Sequence, residues 1–279
     1  MQNTRMRICA GIVTYNPNID RLRENYLHIR DQVDVIVICD NGSGNLNEIK
    51  EILDEKDVTI CLGENKGIAT ALNKLCQYAY ENNYEWIMTL DQDSVCPQGM
   101  VDELARHCYA NVALVGPRIV YEGYEEYSAK FVREIEDVEW VITSGSLTNT
   151  NVWKTIGGFD DLLFIDKVDT DYGIRANKAG YKVRRNNIVV LNHELGNMQC
   201  RKLFGRTVYV THHNPTRIYY QCRNTIYLSQ KIGLRNPTVE TGKIITKIIL
   251  YEGNKVEKLK NAFKGICDGR KMKKEIASM

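Results

Sequence analysis

No C-x-x-C pair occurs among the nine cysteines, and nine is an odd number. That argues against a zinc cluster and against a disulfide scaffold. Several thiols, Cys9 and Cys39 among them, sit inside strand-like apolar runs, where reduced cysteine acts as a small hydrophobe. A reducing cytoplasm is the compartment expected. Long hydrophobic runs are missing as well. No stretch approaches the ~18 apolar residues of a membrane span, and the N-terminus lacks the apolar core of a signal peptide. Nor is there a strong charge of either sign: the net charge is +2, so wholesale nucleic-acid binding is not expected. Repeats, low-complexity segments and obvious linkers are also lacking. What is present is an ordinary globular composition, 43% apolar and 26% charged. At 279 residues the chain can bury a sizeable core without crosslinks.

Charge is nonetheless unevenly spread. From Lys243 to Met279 ten Lys/Arg face four Asp/Glu, which makes this tail about +6 and the remainder slightly acidic. The tail carries Ile244, Ile245, Ile248 and Ile249, then Val256, Leu259, Ala262 and Phe263, at helical spacing. Such a basic amphipathic helix can lie on anionic lipid, or it can pack on the body with a solvated basic face.

Short apolar runs alternate with helix-like segments through the first hundred residues. Strands are expected at 8–15, 33–40, 58–62 and 85–90. Helices are expected over about 20–31 and 46–55, and over a third segment with Ile68, Leu72, Leu75 and Ala79 on one face. The alternation implies a mostly parallel sheet with helices on both faces, and near-continuous apolar runs fit strands buried on both sides. After Gly116 the regularity breaks. One or two strands are expected within 130–146, short helices ending at Gly157–Gly158 and at Gly180, a strand ending at His193, and a helix from Pro215 to Gly233. We expect an α/β catalytic part over 1–233 and a basic helical extension over 234–279.

Ligands in such sheets bind beyond the carboxyl ends of the strands. Polar clusters fall at those ends: Thr14, Tyr15 and Asn16; Asp40 and Asn41; Asn65, Lys66 and Gly67; Asp91 and Asp93. Each can be a turn former or helix cap, but four on one rim can converge on one ligand. The pair in "LDQDS" admits three readings. Carboxylate oxygens suit Mg²⁺ or Mn²⁺ bridging to substrate phosphates. "DQDSV" also satisfies the nucleophile pattern of haloacid-dehalogenase-type phosphatases, although three strand–helix units precede it here. The third reading is turn chemistry alone. A dinucleotide-binding unit fails, since no G-x-G-x-x-G follows the first strand.

The ordered set "GIVTYNP", "VICDNGSGN", "GENKGIATALNKL", "WIMTLDQDS", "SGSL", "IGGFDDLLFIDKVDTDYGIRANKAGYK", "LNHELG" and "HHNPTRIYYQCRN" spans roughly residues 8–224. It resembles family 2 glycosyltransferases of the GT-A fold, and specifically their bacterial rhamnosyltransferase branch. The resemblance implies that Thr14, Tyr15, Asn16, Asp40 and Asn41 hold the nucleotide base and ribose. Asn65, Lys66 and Gly67 would open a helix whose free N–H groups favour anions, and Arg223 would reach the diphosphate. It further implies that Asp91 contacts ribose or sugar, and that Asp93 binds Mn²⁺ or Mg²⁺ with His193 completing the metal site. Ser144, Gly145, Ser146 and Phe159 would meet the acceptor.

The catalytic base implied is Asp169, with Asp166 as its rival and Val168 where the family more often has an acidic residue. Asp171 and Arg175, four apart, can form a helix pair. The activity implied is metal-dependent, inverting transfer from a dTDP- or UDP-sugar, plausibly dTDP-L-rhamnose, to a glycan or lipid-linked acceptor in cell-surface polysaccharide synthesis. The place would be the cytoplasm, with peripheral contact to anionic membrane through the basic tail. A non-catalytic nucleotide-sugar or glycan-binding module is the alternative from a different class.

Overall fold

The computed structural model describes residues 6–121, 131, 133–193, 198–203 and 206–272. They form two compact units: Met1–Phe164 with Val168–His193, and Ile165–Lys167 with Glu194–Met279.

The larger unit is built on β1 (Ile8–Thr14), β2 (Ile36–Asp40), β3 (Val58–Cys61), β4 (Trp86–Asp91), β5 (Val112–Tyr121), β6 (Ile135–Asp137), β7 (Ser146–Asn149) and β8 (Lys182–His193). They make one sheet in the order β3-β2-β1-β4-β7-β5-β8-β6. β7 and β6 run against the other strands, so the sheet is mixed but mostly parallel. Every residue of β1 and β2 is buried, as a strand covered on both faces requires.

The helices are α1 (Ile19–Ile29), α2 (Leu46–Lys50), α3 (Ile68–Glu81), α4 (Met100–Ala105), α5 (Thr150–Thr155) and α6 (Val168–Lys178). In α3 the buried residues Ala69, Leu72, Leu75, Cys76 and Ala79 recur at the spacing of one helical face. The Asn18 side chain caps α1 by accepting from the Arg21 N–H at 3.0 Å. Register matters most for function. Thr14 lies opposite Asp40, and Val13 opposite Asp91, so the ends of β1, β2 and β4 finish level on one rim.

The smaller unit holds a hairpin, β9 (Gln199–Leu203) and β10 (Arg206–Val210), and three helices, α7 (Pro215–Lys231), α8 (Pro237–Tyr251) and α9 (Lys255–Lys271). Pro215 at the start of α7 and the Asn214 cap are the expected opening of a helix. α7 and α9 meet backbone to backbone, because Gly265 and Gly269 leave room for the main chain of Tyr219 and Arg223. That packing groups α7 with the C-terminal helices, whereas the sequence suggested a division at 233.

The apolar tail stripe is split. Ile248 and Ala262 are buried with Ile218 and Cys222, while Ile249, Val256 and Phe263 are exposed. The hairpin was not expected from sequence, and β5 runs past Gly116 to Tyr121. Residues 130 and 132, within the stretch 130–146 where one or two strands were expected, lie outside the described residues.

Candidate active site

At the rim, the Thr14 hydroxyl donates to Asp40 Oδ1 at 3.0 Å. The other Asp40 oxygen accepts the N–H groups of Gly42 and Ser43 at 3.0 and 2.9 Å. Asp40 is buried, so three of roughly four acceptor positions are spent on shaping its own turn. Asn16, at a positive φ, receives the Gly44 N–H and gives its own N–H to Ser43. Tyr15 projects an exposed ring, and its N–H is held by the Gln92 side chain at 2.9 Å. Gln92, the middle residue of D-Q-D, thus ties the first strand's loop to the fourth's.

Asn41 pins the third cluster. Its side chain accepts the Lys66 N–H at 3.0 Å and donates to the Gly67 carbonyl at 3.1 Å. The anion-binding expectation at the start of α3 meets an obstacle here. The Gly67 N–H goes to Asn65 Oδ1, and the Ile68 N–H to the Phe164 carbonyl at 2.6 Å. Gly67 has φ +87°, and a Cβ there would stand 2.5 Å from that Phe164 oxygen. Its missing side chain therefore admits the protein's own backbone, and these N–H groups are already bonded. The Lys66 side chain remains exposed, 3.8 Å from Glu64.

Two adjacent residues organise the carboxylates. The Asp91 N–H donates to Ser144 Oγ at 3.0 Å, and Ser144 also shares a 2.7 Å hydrogen bond with Ser94. Thr143, one residue earlier, donates its hydroxyl to Asp169 Oδ1 at 3.2 Å. Its carbonyl accepts the Thr89 hydroxyl at 2.7 Å, two residues before Asp91 on β4. The pair Thr143–Ser144 therefore links the end of β4 to the first turn of α6, where Asp169 lies. A negative charge there is favoured by the helix dipole. Asp93 is exposed, and its carbonyl accepts from Arg21 at 3.1 Å.

The four residues expected to meet the acceptor are buried. Ser144 is 3% exposed, with its hydroxyl bonded to Asp91 and Ser94. Ser146 is fully buried, its hydroxyl donating to the Ile142 carbonyl, and the buried Gly145 gives its N–H to Thr89. Phe159 is 3% exposed and packs on Tyr172 with ring centroids 4.5 Å apart. These four brace the site from within because their polar and apolar surfaces are already occupied.

Asp171 is fully buried and meets Arg175 Nε at 2.7 Å. The rest of the guanidinium holds the Ile156 and Gly158 carbonyls, so the pair does more than stabilise its own helix.

Within the smaller unit, Asp166 takes both Nε and Nη2 of Arg217, which leaves it poorly suited to be a base. Asn224 donates to the carbonyls of Ile165 and Asp166, and the Arg223 guanidinium lies over Tyr220 at 4.6 Å. His213 has its pKa pushed down to about 4, chiefly by burial and then by Arg217. His193 ends β8, and its side chain lies outside the described residues. Thr143, Gln92 and Asn73 are site-building residues that sequence reasoning missed; a hydroxyl directly ahead of the S-G-S turn was the available signal for the first.

A mostly parallel α/β sheet with level carboxylate loops at its strand ends, one reversed strand inside it and another at its edge, is the GT-A arrangement of nucleotide-sugar transferases. Residues 9–171 match Glycosyl transferase family 2, and the chain belongs to that family. It is 29% identical over 286 residues to dTDP-rhamnosyl transferase RfbF of Shigella flexneri, covering 94% of this chain and 95% of that protein. Among solved structures it superposes on GalNAc-T7 with UDP, GalNAc and Mn²⁺, with a TM-score of 0.59 at 12% identity. That match covers 90% of this chain, which spans only 58% of the solved one. S. aureus TarS 1-349 gives a TM-score of 0.50 at 12% identity, over 95% of this chain and 81% of that one. These likenesses establish the fold.

Proposed function

We propose that this glycosyltransferase moves L-rhamnose from dTDP-L-rhamnose to a glycan or lipid-linked acceptor in cell-surface polysaccharide synthesis, with inversion at the anomeric carbon. The Shigella relative, alike over nearly its full length, supports the donor. The observation that carries the chemistry is the Thr143–Ser144 bridge between the D-Q-D strand end and Asp169.

In this reading Asp169 accepts the proton of the acceptor hydroxyl as that oxygen bonds to the anomeric carbon. The bond from that carbon to the nucleoside diphosphate breaks in the same step. Thr143 holds one oxygen of the base, which fixes its orientation. Tyr15, with its exposed ring, and the turns built by Thr14, Asn16, Asp40 and Asn41 take the nucleotide. Asp91 takes ribose or sugar. The exposed Lys66 takes phosphate, with Asn65 and Gly67 shaping its loop, and the half-buried Arg223 is assigned the same task.

A divalent ion fits the donor set. Among the described residues no three His, Cys, Asp or Glu side chains gather to hold a metal alone. Asp93 would instead offer hard oxygens, with His193 and the donor's phosphates supplying the rest, as Mg²⁺ and Mn²⁺ sites commonly allow. When bound, such an ion offsets the negative charge developing on the diphosphate.

A reducing compartment is the one that the odd number and spacing of the cysteines suggest. Among the described residues no helix is long and apolar enough to cross a membrane. Peripheral contact through residues 234–279 is supported by Val256, 81% exposed, and Phe263 on the basic helix α9. The catalytic function is assigned to 1–233, with 234–279 as an extension, although α7 packs with the C-terminal helices: Arg223, proposed to meet the diphosphate, lies on α7.

A thermal-shift panel tests the reading. Stabilisation by dTDP-L-rhamnose with Mn²⁺, and less without it, is expected. A preference for UDP-hexoses would replace the donor, and indifference to every nucleotide sugar would overturn the function.

A further inference from the structure

The amide of Asn73, on the second turn of α3, makes four hydrogen bonds, the full capacity of such a side chain. Nδ2 donates to the Phe159 carbonyl and to Asp161 Oδ1, both at 2.9 Å. Oδ1 accepts the Phe159 N–H at 2.8 Å and the Trp153 indole N–H at 3.0 Å. The same helix adds two more anchors: Thr70 donates to Asp161 Oδ1 at 2.9 Å, and Ile68 N–H to the Phe164 carbonyl at 2.6 Å. Residues 159–164 are thus seated on the first two turns of α3. From the other side Arg175 of α6 grips the Ile156 and Gly158 carbonyls. The loop is clamped between the helix that follows the 65–67 cluster and the helix that carries Asp169.

Asn73 is half-buried, and three of its four bonds go to Phe159 and Asp161, so losing the amide would leave several groups of this loop without their partners. Its effect is to fix the chain just ahead of α6. We infer that Asn73 is a positioning residue for transfer: by setting the course of residues 159–161, the chain that leads into α6, it orients the helix that carries Asp169. The inference rests on the function proposed above. Reacting groups misplaced by about 1 Å can lose on the order of 10²-fold in rate, so the clamp acts on turnover and leaves donor binding alone.

The test is steady-state kinetics with dTDP-L-rhamnose as donor. The acceptor is whichever octyl glycoside, from a panel, the wild-type protein glycosylates fastest. Asn73→Ala should lower kcat by about 10²-fold while the KM for dTDP-L-rhamnose stays within about twofold. The reciprocal pair Asn73→Asp with Asp161→Asn restores a donor–acceptor contact between the two positions, and it should be less impaired than the product of the single variants. Thr70→Val, which removes one bond to Asp161, should cost several-fold in kcat, and it carries the test if Asn73→Ala does not fold. Unchanged turnover, a donor KM that rises in step with the loss, or a double variant no better than multiplicative would overturn the inference. A wild-type protein that transfers no sugar would overturn the proposed function instead.

Discussion

The Thr143 hydroxyl donates to one carboxylate oxygen of Asp169 at 3.2 Å. The bond joins the loop ahead of β7 to the first turn of α6, 26 residues further along the chain. Because the Thr143 carbonyl also receives Thr89 from β4, the orientation of Asp169 is referred to the rigid sheet.

Replacing Asp169 by Asn should therefore lower transfer by about 10²- to 10⁴-fold, the usual worth of a general base. Nucleotide binding, followed by calorimetry with dTDP, should stay near wild type. Thr143→Val should give a smaller loss of the same kind, since it frees the carboxylate without removing it. Full activity in Asp169→Asn would eliminate the assigned base.

Asp93→Ala should abolish the additional stabilisation that Mn²⁺ gives to the nucleotide-sugar complex, read as the difference in Tm with and without metal. Its carboxylate is exposed, so the fold itself should hold to within about 0.5 kcal/mol, as at other surface positions. A metal-dependent shift that survives this substitution would place the ion elsewhere.

Arg175→Met leaves Asp171, fully buried, without its cation, and the Ile156 and Gly158 carbonyls without their donor. Breaking one side of such a pair costs about 3–5 kcal/mol. Urea denaturation at pH 7 should show it, and the loss should shrink in the double variant that also carries Asp171→Leu.

His213 bears on acid stability. Its folded pKa is held near 4, below the ordinary 6.5, by burial first and by Arg217 next; Asp166 and Glu252 oppose this, and Lys258 adds to it. Between those values the unfolded chain takes up a proton that the folded chain refuses. The stability linked to neutral His213 is thus complete above about pH 6.5 and declines as pH falls towards 4. His213→Gln should flatten the dependence of Tm on pH over that window. An unaltered slope would assign the acid sensitivity to other groups.

Much of the fold was legible because its signals are local. The first four strands are uninterrupted apolar runs, and α3 announces itself through Leu72, Leu75 and Ala79, all buried. Boundaries were less so: β2 begins at Ile36 and α2 stops at Lys50, short of the expected spans. The hairpin β9–β10 was missed, since its mixed polar residues carry no clear alternation. In the site, the D-Q-D pair and the rim clusters were found as chemistry. Ser144, Gly145, Ser146 and Phe159 were expected to meet the acceptor, and a Ser/Gly loop gives no sign that its hydroxyl will meet an N–H 53 residues away.

By itself the sequence determined which residues could form a doubly covered sheet and where its polar strand ends would fall. Both follow from the contiguous apolar runs that burial on two faces demands. Only the tertiary structure decided which polar groups are already committed. Phe164 occupies the start of α3, Asp40 is spent on its turn, Asn73 is saturated by the loop before α6, and Thr143 is on Asp169. Hydrogen bonds between distant segments depend on register and loop course, and no local pattern encodes them.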